Sequence, residues 1–307
     1  MSAAPRASSL PLVAVAVTLV LWSSAFVAIR HLGHTFSPGA LSLGRLLVGS
    51  VALGVVLALR GWRMPTRRQW PGLVAIGLLW FGLYNVALNA GELRVDAGTA
   101  ALLIQLSPVL VAVLAAVFLK EKATPALGVG LLIAFGGVVL IATSTSEAGN
   151  RDPFGVVLCL ISAAAYAVSL ILQKPLVARL PAVEVTWIAC TVGAIACLPF
   201  AGDLVSDARA SSAGDLGWVV FLGVFPTAIA FSTYAFALSH MSAGNLAVTT
   251  YLVPPITVLL SWVFLSETPP AVAYVGGAMC LVGVAVARRR PRAGETQVAT
   301  VDEKVTA

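Results

Sequence analysis

One arginine and a scatter of amides, hydroxyls and aromatic rings stand inside runs that are otherwise apolar. Arg45 lies in LSLGRLLVGS, with no acidic residue in that run. Asn85 and Asn89 are four residues apart and share one helical face, while Trp80 and Tyr84, also four apart, share a neighbouring one. Tyr166, Ser169 and Gln173 follow an i, i+3, i+7 spacing, and Asn245 and Thr249 an i, i+4 spacing. Trp22 is followed by Ser23 and Ser24; Thr99, Gln105 and Ser107 mark another run, and Thr227, Ser232, Thr233 and Tyr234 one more. Such side chains hold a small solute by hydrogen bonding and stacking. Plainer roles stand beside that one: hydrogen bonds between helices for the asparagines, core packing for Trp80, and for Arg45 an anchor whose head reaches the outer headgroups instead of a cavity or gate. Pro108 and Pro254 fall mid-run, where proline frees a carbonyl and bends the axis, in a gate or in a static packing bend.

Bond-making chemistry finds no support. GxxxxGKS/T, HExxH and CxxC are absent, and no carboxylate pair is present. His31, His34 and His240 are scattered near run ends, and the four cysteines lie inside apolar runs without metal-ligand spacing. We expect no enzyme activity, metal or cofactor. Glu92, Asp96, Glu121, Glu184 and Glu267 all lie near run ends, which weakens a buried carboxylate relay.

The elements carrying these residues must be membrane helices. The chain is 59% hydrophobic and 10% charged, with mean hydropathy +0.96, where soluble domains carry about 25% charged residues. Runs near the ~20 residues that cross a bilayer fall at 11–29, 38–59, 70–90, 95–119, 125–143, 153–173, 182–201, 215–237, 243–265 and 270–287. The net charge of +6 sits in the loops, so it orients the chain and does not point to nucleic acid. With the N-terminus inside, inner segments carry 14 of the 19 basic residues and outer segments 4, the last being Arg45. Both termini are therefore expected in the cytoplasm, with 202–214 an outer loop. No cleavable leader is expected, because MSAAPRASSLP runs straight into an apolar span.

The stretch from Asp96 to Ala142 returns 146 residues later, from Ser242. Between 95 and 140 there are 14 identities in 46 positions without a gap, among them Pro108 with Pro254, Glu121 with Glu267, Gly130 with Gly276 and Gly137 with Gly283. That is an internal duplication. Five spans per copy make the second copy inverted, and the loss of the LKEK lysines in its LSE turn agrees. The expected fold is all-α: a polytopic membrane protein of ten helices in two inverted repeats, 1–147 and 148–290, around a central cavity, with a polar tail at 291–307. Glycines in Gly72–Gly77–Gly82, Gly128–Gly136 and Gly276–Gly283 suggest close helix contacts. Spans 5 and 10 carry few polar groups and read as scaffold or subunit contacts, leaving a homodimer open.

The WSSAF at Trp22, the arginine at 45, AGTAALLIQLSPVLVAVLAAVFLKE ending at Glu121 and AGNLAVTTYLVPPITVLLSWVFLSE ending at Glu267 together resemble the drug/metabolite transporter superfamily, in its bacterial group with two EamA-type repeats. The resemblance covers nearly all of 11–288. It implies ten helices around a cavity, cytoplasmic termini, helices 5 and 10 in support, and relatives that export amino acids, some of them aromatic. The expectation is a secondary exporter of small metabolites, amino acids first, in the bacterial inner membrane, working by alternating access. Its cavity would be lined by Trp22, Arg45, Trp80, Tyr84, Asn85, Asn89, Tyr166, Gln173, Tyr234, Asn245 and Thr249. Its partners are the solute and the lipid bilayer. The rivals are an exporter of drugs or aromatic cations, which should carry a buried carboxylate, and a scaffold protein without flux.

Overall fold

The computed structural model describes residues 9–94, 103–145, 152–265 and 271–287, and all regular structure among them is helical. Helix α1 is Leu10–Leu32 and α2 is Pro38–Arg60. Helix α3 comprises Trp70–Ile76 and Tyr84–Glu92 joined by π-helical Gly77–Leu83. Helix α4 is Ser107–Phe118, α5 Pro125–Thr145, α6 Pro153–Val177, α7 Ala182–Ala196 and α8 Ala201–Ala210. Helix α9 comprises Ala213–Leu222 and Ala230–His240 around π-helical Gly223–Ile229. Helix α10 runs from Ala243–Ala247 through 3-10 Val248–Leu252 to Val253–Leu265, and α11 is Ala271–Ala287.

Starts are fixed by proline and short polar caps. Pro38 follows Ser37, whose hydroxyl accepts from Ala40 N, and Pro153 follows Asp152, whose carboxylate accepts from Phe154 N. Five helices are long and apolar enough to cross a bilayer: Pro38–Arg60, Trp70–Gly91, Pro153–Val177, Ala213–His240 and Ala243–Leu260. Ala182–Ala196 and Leu198–Ala210 make a sixth span if taken together across a 55° bend, and four shorter apolar helices lie at Leu10–Ala25, Ser107–Phe118, Pro125–Ile141 and Tyr274–Ala287. The chain is an all-α, multi-pass membrane protein.

Two expectations are corrected. The segment 202–214 is not a plain loop, because α8 occupies most of it. The chain turns at Leu198–Phe200, where Pro199 has no N–H to continue α7. Helix α8 is tied back to α2 by Asp207, whose carboxylate accepts from Ser37 N at 2.9 Å. Pro108 and Pro254 do not sit inside continuous α-helix. Each is the second residue of a new α-helical stretch, after a turn at 105–106 and after the 3-10 segment respectively. The start of the span expected at 95–119 lies outside the described residues.

Many contacts occur twice. The π-helical segments Gly77–Leu83 and Gly223–Ile229 are themselves 146 positions apart. A Cβ on Gly77 would lie 2.7 Å from the Ala189 carbonyl oxygen and 2.6 Å from Val192 Cβ; one on Gly223 would lie 2.9 Å from the Arg45 carbonyl oxygen and 2.4 Å from Val48 Cβ. A Cβ on Gly193 would meet Phe81 Cβ at 2.4 Å and the Gly77 oxygen at 3.1 Å; one on Gly49 would meet Thr227 Cγ2 at 2.9 Å and the Gly223 oxygen at 3.1 Å. Shifting by 146 along α3 and by 144 along α2 turns each contact into its twin. The Thr18 hydroxyl lies 2.9 Å from Ala14 O and 3.2 Å from Ala230 O. The Ser162 hydroxyl, 144 positions on, lies 3.0 Å from Leu158 O and 3.3 Å from Tyr84 O. Helices α5 and α11 pack antiparallel through Gly130 on Gly283 and Gly137 on Gly276, where an added Cβ would come within 2.6 Å of the opposing carbonyl oxygen.

Candidate functional site

The π-helical stretch of α3 turns Trp80 and Phe81 into the core, where they meet α1, α6 and α9. Trp80 is 1% exposed. Its ring lies 5.0 Å from Tyr166 and from Phe231, 6.0 Å from Tyr234 and 6.4 Å from Trp22, all edge to face. Trp22 closes the group at 4.8 Å from Tyr234 and 5.3 Å from Phe231. The Tyr166 and Tyr234 hydroxyls share a 2.5 Å hydrogen bond, and Tyr84 extends the array, 6.4 Å from Tyr166. These rings come from four helices far apart in sequence. The half-buried Trp22 adds a polar demand: its Nε1 is buried and has no partner among the described residues.

Arg45 borders this array on α2. It is 6% exposed and cannot be a lipid-facing anchor that snorkels outward. Its Nε–H donates to Thr227 Oγ1 at 3.0 Å, and Tyr84 and Cys190 are its electrostatic neighbours. Among the described residues no ion pair reaches it. The side chains are brought together by the Gly49 and Gly223 contact between α2 and the π-helical stretch of α9. Neither Thr227 nor Phe231 stood out among the expected lining residues. Thr227 is visible in sequence as a hydroxyl inside a span, whereas Phe231 is one apolar residue among many and carries no signal.

Other expected residues are engaged elsewhere. Asn85 donates to Trp80 O at 3.2 Å and Phe81 O at 2.9 Å, carbonyls of its own π-helical segment. Asn89 donates to Pro38 O and Ser42 Oγ of α2 at 3.2 and 3.0 Å, a bond between helices. Gln173 is 1% exposed, with Oε1 unpartnered among the described residues, as is the nearby-in-sequence hydroxyl of Ser169. Thr249 is buried and donates to Leu246 O, and the half-buried Asn245 sits in the first turn of α10. That turn is held by Glu121, whose carboxylate accepts from Ala243 N at 2.8 Å and Gly244 N at 3.2 Å. Lys120, in the left-handed region at φ 54°, aims Glu121 there. Lys174 donates to Leu238 O and Met241 O at the adjoining end of α9.

The fold and site define an all-α, multi-pass membrane protein with a buried aromatic and polar centre drawn from four helices. Residues 9–143 and 153–289 each match the EamA-like transporter family, and the chain belongs to that family. It is 37% identical over 277 residues to a probable terminal-alkyne amino-acid exporter of Streptantibioticus cattleyicolor, covering 90% of this chain and 93% of that one. It is 30% identical over 267 residues to the uncharacterised transporter YdfC of Bacillus subtilis, covering 86% of each. A crystal structure 21% identical to it superposes with a TM-score of 0.75 over 98% of this chain and 100% of the other, so the fold is shared.

Proposed function

We propose that the protein is a secondary transporter of the bacterial inner membrane that exports small metabolites, amino acids first. It works by alternating access between two inverted five-helix halves, 1–147 and 148–290, with both termini and the tail at 291–307 in the cytoplasm. Antiparallel packing of α5 on α11 and the doubled contacts of α2, α3, α7 and α9 support the inverted pairing, a construction in which exchanging the conformations of the halves moves a central site between faces. The observation that carries the function is the aromatic array at the junction of α1, α3, α6 and α9. Trp22, Trp80, Tyr84, Tyr166 and Tyr234 offer flat apolar faces with polar edges, and Trp22 Nε1–H is free to donate to a solute. The amino-acid exporter among the relatives supports that solute class. Asn85 and Asn89 hold the walls in this reading, and Gln173, Asn245 and Thr249 border the path.

The test is counterflow of radiolabelled amino acids into proteoliposomes of purified protein. Saturable uptake of one class is expected, with Trp22→Leu raising KM roughly 2- to 10-fold, the ~0.5–1.5 kcal/mol of an aromatic contact. Silence across the whole panel, with folded protein in the liposomes, would refute amino acids as the cargo.

A further inference from the structure

The doubled architecture supplies an internal control for Arg45. Its positional twin on α7, 144 residues on, is Ala189; the twin of Thr227 on α3, 146 residues earlier, is Phe81. Both crossings are built alike, with backbone against glycine and approach distances that agree to within about half an ångström. Helix packing at this crossing is therefore achieved with alanine and phenylalanine, and needs neither a cation nor a hydroxyl. Burial removes the other plain role, an anchor in the headgroups. A buried ion costs several kcal/mol unless paired. A guanidinium carries five N–H donors in a planar fork suited to a carboxylate, and among the described residues one of these is used, on Thr227. Thr227, Phe231 and Tyr234 follow at i, i+4 and i+7 along α9, so the arginine's own partner shares a helix face with two rings of the aromatic array. Tyr84 links the two from α3, as electrostatic neighbour of Arg45 and ring neighbour of Tyr166.

We propose that the Arg45 guanidinium, oriented by Thr227, binds the carboxylate of the transported solute, so that the site takes carboxylate-bearing zwitterions and rejects organic cations of the same shape. The inference rests on the transporter reading above and makes it narrower. The solute supplies the counter-ion that the fold withholds, and its side chain lies toward Trp22, Phe231 and Tyr234. A cation in the same place meets the unneutralised charge of Arg45.

The experiment compares matched probes on the purified full chain: L-phenylalanine, L-phenylalaninamide and phenethylamine, and L-norleucine with pentylamine. Binding is read by tryptophan fluorescence and thermal shift in detergent, and flux by counterflow in liposomes. The unaltered protein should bind an amino acid at least about 30-fold more tightly than the probe lacking its carboxylate, the loss expected when one member of a buried charge pair is removed. Arg45→Met should bring the probes within a few-fold of one another, and the ligand-free variant should melt no lower than the parent, because an unpaired buried charge has gone. Arg45→Lys should keep part of the preference. Thr227→Val should weaken the amino acids and leave the amines unchanged, and these two variants carry the comparison if Arg45→Met fails to fold. A carboxylate preference that survives in Arg45→Met, or an unaltered protein that binds none of the probes or prefers the amines, overturns the assignment. Arg45-dependent binding without counterflow would fault the transporter reading and leave the site standing. Counterflow of phenylalanine unchanged in Arg45→Met would do the reverse.

Discussion

The shared hydrogen bond of Tyr166 and Tyr234 shows how the centre balances polarity against burial. Each buried hydroxyl is the other's partner. Tyr166→Phe or Tyr234→Phe should each cost about 1–3 kcal/mol, because the surviving hydroxyl is left buried and unsatisfied. The double variant should cost less than the sum of the two. A double-mutant cycle by thermal unfolding in detergent checks this, and strict additivity would mean that the two hydroxyls do not act as a pair. Trp22, Trp80, Tyr84, Tyr166 and Tyr234 were legible in sequence as rings inside apolar runs, and Arg45 as a cation inside one, whereas Phe231 was not. What the amides do was not legible. The face shared by Asn85 and Asn89 is plain from spacing, but their partners depend on carbonyls freed by a π-helical segment and on where α2 passes, and neither leaves a trace in a one-dimensional pattern.

At the scale of helices, glycine decides where two axes approach. Gly193→Ala would put a Cβ 2.4 Å from Phe81 Cβ, backbone-near and unable to swing aside. It should lower stability by about 1–3 kcal/mol, while Gly128→Ala, with nothing within 4 Å, should be neutral or gain up to ~1 kcal/mol from helix propensity. Unfolding midpoints of the two variants in one detergent test the contrast; equal midpoints would remove close approach as the reason for Gly193. The glycine spacings suggested contacts at Gly77, Gly276 and Gly283, and these are tight in the structure, whereas Gly128 faces open space. Spacing marks a face of small residues without saying whether a neighbour comes to it. Helix α8 escaped the sequence reading for a related reason. Its ten residues carry Asp203, Asp207 and Arg209 in too short a run to form an apolar period, and what fixes it is the docking of Asp207 on the start of α2.

For the whole molecule, the apolar runs and the 146-residue repeat made the all-α membrane architecture readable. The pairing of helices across the repeats was not, since it arises from contacts between residues far apart. The proposed orientation has a direct check, made clean by four native cysteines that are all buried. Gly202→Cys on α8 should react with a membrane-impermeant maleimide in intact cells, and Met64→Cys, 74% exposed between α2 and α3, only after permeabilisation. The opposite pattern would invert the topology. The exchanged contacts also bear on biosynthesis. When the ribosome has released α1 to α5, Thr18, Gly49, Gly77 and Gly130 have been made but Ala230, Thr227, Val192 and Gly283 have not. The helices made first must wait in the lipid with those faces unpaired, and α5 meets its match only when α11 has followed all the other described helices. Quality-control proteases therefore have a defined window in which to act, and a chain stopped before Ala271 should be cleared from the membrane even though every ring of the centre has already been synthesised.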